Sequence, residues 1–168
     1  MFSHDQRIER TQEGELRLRL PRAERELLRG LPTELRDLLA AAPADPNLRR
    51  LFPPAYEDDA DEAESRRLTH ADLVEGRRQA LRVLQETVDN DRLSPDEAHA
   101  WLTALNDLRL VLGTRLDVRE ETLLCGLDPS ESRAPELALY AYLSGLQEEF
   151  VAAFGGGLLQ GTEDTQSV

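Results

Sequence analysis

Apolar residues recur at steps of three and four between residues 94 and 116, which predicts a long amphipathic helix. Ser94, Pro95 and Glu97 form a helix start, in which the serine hydroxyl accepts a hydrogen bond from the Glu97 amide. Trp101, the only tryptophan of the chain, widens the apolar face. We expect this helix to be central, because its apolar face has to be covered by the other elements. The face comprises Ala98, Leu102, Leu105, Leu108, Leu112 and Leu116.

Residues 21–42 carry leucines at helical spacing, with Pro32 inside the run. A proline removes one backbone hydrogen bond from a helix and either kinks or breaks it. The apolar pattern stays in phase across Pro32, so we favour one kinked helix over two helices that meet at residues 30–31.

Two further helices follow from the same spacing. Residues 70–88 form one, with Arg77 on its apolar face. Residues 89–91 end it, and the short loop to Pro95 predicts that it packs antiparallel to the next helix. The last and most apolar helix runs over residues 134–154. We expect the glycines that follow to end it and residues 155–168 to form a disordered tail.

The N-terminal region has the alternation of a half-buried strand. Residues 16–20 alternate leucine with arginine, and Glu13 and Gly14 supply a turn before them. With a partner strand at 6–11, this predicts a small β-hairpin over about residues 6–20 that lies on the helices.

Two connections complete the outline. Residues 43–65 are rich in proline and acidic residues and predict a long connection. We expect its apolar residues to dock on the core, namely Leu48, Leu51, Phe52 and Tyr56. After the central helix, Asp117 is expected to cap a short helix that ends at Cys125. The predicted fold class is therefore mainly α: a compact helical bundle with a small N-terminal β-hairpin, in a single domain over residues 1–154.

The composition excludes several classes of function. The chain has 168 residues, with 20 basic and 33 acidic side chains and a net charge of −13. All of its cations except histidine are arginine, which excludes lysine nucleophiles and P-loop chemistry. So acidic a chain repels phosphate, and we expect no direct binding of nucleic acid. No signal peptide or membrane span is evident, so we expect a cytoplasmic protein that does not bind membranes.

Catalytic and metal-binding patterns are missing from the sequence. His4, His70 and His99 are scattered, and no nucleophile has a neighbouring base. We therefore expect no metal, no cofactor and no enzymatic activity. Cys125 is the only cysteine; a buried structural thiol is the favoured interpretation, and a redox-active thiol is the alternative. The sequence leaves the oligomeric state open, and a homo-oligomer is compatible with it.

Polar residues run beside the apolar stripe of the central helix. We select Asn106, Asp107, Arg109 and Arg115 as a candidate cluster, either for fixing how helices meet or for binding a ligand, and we favour the structural role. Gly113 lies on the same line, where it either admits another backbone or marks the nearby helix end.

A resemblance to a known family gives a specific functional prediction that these residues alone do not. The stretch WLTALNDLRLVLGTRL, the upstream LRRLFPPAY and the hairpin followed by ERELLRGLPTELRDLL resemble an actinobacterial family first catalogued as a domain of unknown function, which includes an oxidative-stress regulator. The resemblance extends over residues 8–154. It implies a non-enzymatic, redox-linked regulator of transcription that contacts a sigma factor or RNA polymerase. The alternative is a small-molecule-binding protein or hydrolase that uses the polar cluster.

Overall fold

A computed structural model describes residues 6–42, 45–52, 60–118 and 132–159. Within these ranges the chain is mainly helical with one small sheet, which confirms the predicted fold class. The helices are α1 (Arg22–Ala41), α2 (Ala60–Thr87), α3 (Pro95–Arg115) and α4 (Ala134–Leu159), with a short 3-10 helix at Pro46–Leu48. The strands are β1 (Ile8–Arg10), β2 (Leu16–Leu18) and β3 (Arg92–Leu93).

Helix α3 lies at the centre, as predicted, with α2 on one side and α4 on the other. Trp101 is fully buried; its ring stacks on Phe150 with centroids 5.6 Å apart, and its indole N–H donates to the Thr87 hydroxyl at 2.8 Å. The start of the helix is the predicted capping box, because the Ser94 hydroxyl accepts from the Glu97 amide at 3.2 Å and the Glu97 carboxylate accepts from the Ser94 amide at 2.8 Å.

The buried surface of α3 is wider than the predicted stripe. Because helices cover it from two sides, further residues between the stripe positions are buried as well. These include Ala104, Asp107, Val111, Gly113 and Thr114.

Helix α1 runs without a break across Pro32, so the single-helix interpretation was correct and the two-helix alternative was wrong. Pro32 is buried together with Leu28, Leu35 and Leu39. The apolar face of α1 continues in phase across Pro32 and packs against α2. The stabilisation from this burial outweighs the cost of the lost backbone hydrogen bond.

Two helix boundaries differ from the prediction. Helix α2 begins at Ala60 instead of after Thr69, because alanine, glutamate and arginine favour a helix even where no apolar periodicity marks it. Helix α4 does not end at Phe154 but continues through the glycines to Leu159, so residues 155–159 are not part of a disordered tail. Glycine lowers helix propensity by about 1 kcal/mol without forbidding helical dihedrals, which makes it a weak stop signal.

The predicted hairpin is present, and it belongs to a sheet of three strands. β1 and β2 pair antiparallel with Ile8 opposite Leu18, and Gly14 makes the turn with φ of 87°. β3, which the sequence did not predict, pairs with the other edge of β2 and sets Leu93 opposite Leu16. A strand of two residues is too short to show an alternating pattern.

The 3-10 segment docks on the core as expected, since Leu48 and Leu51 are buried. Tyr56, most of the predicted short helix up to Cys125, and residues 160–168 of the predicted tail lie outside the described residues. Among the described residues, every helix lacks the length or the apolarity that a membrane span requires.

Candidate functional site

The first two members of the predicted polar cluster face opposite neighbours. Asn106 accepts a hydrogen bond from the Gln147 amide of α4 at 3.3 Å, whereas Asp107 forms an ion pair with Arg77 of α2. Consecutive helical residues lie about 100° apart around the axis, so these two side chains do not meet at one site. The ligand-binding interpretation required them to converge on one open pocket.

The Arg77–Asp107 pair ties three elements together. Asp107 on α3 is 0% exposed, and the Arg77 side chain is 22% exposed. Arg77 also donates to the Leu51 carbonyl at 3.2 Å, and its guanidinium lies 5.4 Å from the centre of the Phe52 ring. The pair therefore joins the segment of residues 45–52 to α2 and α3.

Burial also changes the acidity of this carboxyl group. Removal from water raises the pKa of Asp107 above its ordinary value, and the neighbouring Arg77 charge and hydrogen bond oppose that rise without cancelling it. The second carboxylate oxygen of Asp107, Oδ2, is buried and has no hydrogen-bond partner among the described residues. The group is thus held in place by one strong partner on one side.

Arg109 and Gly113 line the face of α3 that turns away from this pair. Arg109 is half-buried, and its Nε has no hydrogen-bond partner among the described residues. Gly113 is buried near the helix end, and a Cβ there would lie 2.9 Å from Cε2 of Tyr140 and 3.3 Å from Nη1 of Arg50. The space that glycine leaves is therefore filled by side chains, not by another backbone.

Arg115, the fourth member, is exposed and lines an apolar groove. The groove has a volume of about 260 Å³ and runs between α1, α3 and α4. Most of its lining is leucine and valine, and the charged lining residues are Arg115, Glu34 and Glu136. We call it the α1–α3–α4 groove. Its apolar lining comprises Leu31, Leu35, Leu38, Leu108, Val111, Leu112, Leu139 and Leu143.

A polar clamp joins α1 to α4 beyond one end of the groove. Arg7 donates to Glu24 of α1 at 3.0 Å and, through Nε, to Glu149 of α4 at 3.0 Å. The Tyr142 hydroxyl of α4 donates to Glu24 at 2.8 Å, and burial is the main reason that the pKa of this phenol is raised. The clamp fixes the spacing of the two helices that form the groove walls.

The two histidines that the structure describes lie far from each other. His70 lies against the Phe52 ring at 4.6 Å and His99 against Phe154 at 6.4 Å, in different parts of the fold. Across the described ranges, no three His, Cys, Asp or Glu side chains come close enough together to hold a metal ion. His4 and Cys125 lie outside those ranges.

Comparison with known proteins identifies the family. A model for a domain of unknown function, DUF2017, matches residues 5–154. The chain belongs to the DUF2017 family. This confirms the resemblance found in the sequence.

Some relatives of this chain carry a functional name. The proteins named oxidative stress regulator AosR from Mycobacterium bovis and Mycobacterium tuberculosis are each 34% identical to this chain over 137 residues. The match covers 70% of this chain and 62% of each relative, so it spans less than two thirds of their length. These relatives are named as regulators, not as enzymes. No solved structure matches the chain.

Sequence reasoning missed the groove and the partner of Asp107. Arg77 was noticeable as a cation on an apolar helix face, a position that requires a buried anion. The groove left no comparable signal, because its leucines have the same helical spacing as leucines that are fully covered.

Proposed function

We propose that this chain is a non-enzymatic regulator of transcription that acts by binding a protein, with a sigma factor or RNA polymerase as the partner. The observation that carries the proposal is the 34% identity, over 137 residues, to proteins named as oxidative stress regulators.

The charge of the chain supports a protein partner over nucleic acid. A net charge of −13 repels the phosphate backbone and attracts basic protein surfaces, which raises the rate of encounter with such a surface. Proteins that bind DNA do so with lysine and arginine, so an acidic regulator is attracted to such surfaces.

The geometry around α3 supports binding over turnover. The polar groups that would have to act together in a hydrolase are divided between the α2 side and the α4 side of the helix, and Asp107 is inaccessible to a substrate. The α1–α3–α4 groove, in contrast, offers apolar surface with charges beside it, which is the usual composition of a docking site.

A redox link would have to use Cys125, and we propose it as a separate step. With one cysteine, the chain cannot form an internal disulfide, so oxidation would give a sulfenic acid or a disulfide to another molecule. Partner binding would be compared for wild type and Cys125→Ser, with and without hydrogen peroxide. A response to peroxide that survives in Cys125→Ser, or the lack of any response in wild type, would contradict this step.

Direct binding tests the main proposal. Immobilised wild-type chain would be exposed to purified core RNA polymerase and, separately, to each sigma factor of the same organism. We expect saturable binding to at least one of them that weakens as salt rises, and no binding to the promoter DNA alone. The same complex should change transcript yield in a purified transcription reaction.

Failure to bind every sigma factor and core polymerase would contradict the proposed partner. The alternative, a small-molecule-binding protein or hydrolase, would gain support if Asn106→Ala abolished binding of a metabolite while the unfolding free energy stayed unchanged. The Asn106–Gln147 contact gives the opposite expectation, a small loss of stability alone.

A further inference from the structure

We propose that the α1–α3–α4 groove binds an amphipathic helix of the partner, with an apolar stripe about two turns long and arginine or lysine beside that stripe. This inference rests on the proposed function and deepens it, because it names the chemistry of the partner surface that a protein-binding regulator would contact.

The dimensions of the groove suit a helix. On α3 its lining extends from Leu108 to Arg115, on α1 from Leu31 to Leu38, and on α4 from Glu136 to Leu143. Each of these stretches covers two helical turns, or about 10 Å of rise. A docked helix of the same length presents side chains at positions i, i+3 or i+4, and i+7, which is how amphipathic helices fill apolar grooves.

The volume favours side chains over a whole small molecule. At about 260 Å³, the groove lies below the range of roughly 300–1,000 Å³ that is usual for sites of small ligands. The lining includes half-exposed leucines on each of the three helices, namely Leu31, Leu112 and Leu139. A few aliphatic side chains from a helix would cover these leucines and remove their apolar surface from water.

The charged residues beside the groove indicate which charges the partner helix should carry next to its apolar stripe. Glu34 and Glu136 are exposed, and neither has an ion-pair partner among the described residues. Arginine or lysine on the docked helix would pair with them, and the overall charge of −13 acts in the same direction. Arg115 is the single cation among the described lining residues, so one acidic residue on the partner would set the direction in which the helix lies.

The groove walls are already in position. Glu24 of α1 and Tyr142 of α4 are hydrogen-bonded to each other, and Arg7 links Glu24 to Glu149. Because this clamp fixes the two walls beyond one end of the groove, a partner helix would not have to order them on binding. Such preorganisation lowers the free-energy cost of association.

Peptide selection tests the inference without a known partner. The full chain would be used to select from a displayed library of helical peptides about five turns long, randomised at every position. We expect the enriched peptides to have an apolar i, i+3 or i+4, i+7 stripe with arginine or lysine beside it. Their affinities would then be measured by fluorescence anisotropy against wild type and variants.

Matched variants locate the binding surface. Leu139→Arg, within the groove, should lower the affinity for the selected peptides about tenfold or more. Leu68→Arg, on α2 at a leucine that is 66% exposed, should leave their affinity unchanged. Glu34→Arg should lower the affinity for basic peptides more than Asp37→Arg does. Asp37→Arg makes the same change of charge at an exposed position of α1 that lies outside the groove lining. Urea unfolding of each variant would verify that it folds.

Several results would overturn the inference. These are enrichment of acidic or non-periodic peptides, no enrichment at all, or equal affinity for wild type and Leu139→Arg. Self-association that Leu139→Arg abolishes would identify a second copy as the occupant, and cross-links from Leu139→Cys to residues 119–131 would identify the chain itself. An apolar small molecule that binds at the groove while no helical peptide does would also overturn it.

The outcomes separate this inference from the proposed function. If Leu139→Arg still binds the sigma factor or polymerase with wild-type affinity, the groove is not the docking site and the proposed function stands. If wild type selects basic amphipathic helices but binds neither protein, the groove inference stands and the proposed partner is wrong.

Discussion

Toward α2, helix α3 presents Trp101 and Asp107, and each of these fully buried side chains contacts a polar group of α2. Toward the groove, the same helix presents Leu112 and Arg115, which remain half-exposed and exposed. The first side is closed by a hydrogen bond and an ion pair, and the second is left open between the walls formed by α1 and α4.

This difference separates two uses of polar groups. On the closed side they fix where α2 and α3 meet, since a buried donor or charge tolerates few alternative positions. On the open side, charges lie at the edge of apolar surface and have no ion-pair partner within the described ranges. Variants on the closed side should therefore affect stability, and variants on the open side should affect binding.

The largest expected effect comes from breaking the buried ion pair. Asp107→Ala leaves the Arg77 guanidinium, only 22% exposed, without its carboxylate, and should lower the unfolding free energy by about 3–5 kcal/mol. Urea unfolding followed by the fluorescence of the buried Trp101 would measure the loss. Replacement of both partners, in Arg77→Met with Asp107→Leu, should cost less than the single change because no charge is left unpaired.

An exposed ion pair gives the matched control. Arg22 and Glu26 are 92% and 53% exposed in their side chains, so Glu26→Ala should cost only about 0.3–0.5 kcal/mol. If Asp107→Ala proved no more destabilising than Glu26→Ala, the closed side would not depend on its ion pair.

The next effect concerns the tryptophan hydrogen bond. Thr87→Val removes the acceptor of the buried indole N–H and should cost about 1–3 kcal/mol. The Thr87 hydroxyl also donates to the Val83 carbonyl at 2.6 Å, so it acts as a donor and as an acceptor within the protein. Thr103→Val, at a half-buried position of α3, is the control and should have a smaller effect in urea unfolding. Equal losses would show that the indole contact contributes little.

Sequence patterns could predict the closed side far better than the open one. Local rules predicted the capping box at Ser94 and the burial of Trp101. A serine before a proline indicates a helix start, and a wide apolar stripe indicates a buried helix, and few other structures fit either pattern. The start of α2 at Ala60 and the two-residue strand at Arg92 did not follow, since neither carries a periodic apolar signal.

The groove could not have been predicted for a different reason. Leu112 and Leu105 lie on the same predicted stripe, but Leu105 is fully buried whereas Leu112 is half-exposed. Which leucines are covered depends on how closely α1 and α4 approach, and that spacing is set by contacts distant in sequence, such as Arg7 with Glu149. Periodicity identifies a buried face but does not report where the packing around it is incomplete.

A smaller effect is expected at Gly113, where α3 meets α4. Gly113→Ala places a Cβ 2.9 Å from the Tyr140 ring and should lower stability by about 1 kcal/mol, because the clash exceeds the gain in helix propensity. In a Tyr140→Ala background the same change should become stabilising. Gly145→Ala, on α4 with nothing within 4 Å of its Cβ, should be stabilising by up to about 1 kcal/mol. Gly113→Ala that stabilised the wild-type background would show that Tyr140 moves away freely.

The smallest expected effect is a dependence on pH that separates Asp107 from every exposed carboxylate. Burial raises its pKa, so the native state holds the proton more tightly than the unfolded state does. The contribution of this carboxyl group to stability is therefore complete below its ordinary pKa of about 3.9 and is lost as the pH rises through the raised native value. Wild type should lose stability relative to Asp107→Asn as the pH rises from its ordinary pKa of about 3.9 toward neutral. Urea unfolding of both proteins across that range would measure the difference, and a gain of wild type over the variant with rising pH would mean that Arg77 outweighs burial.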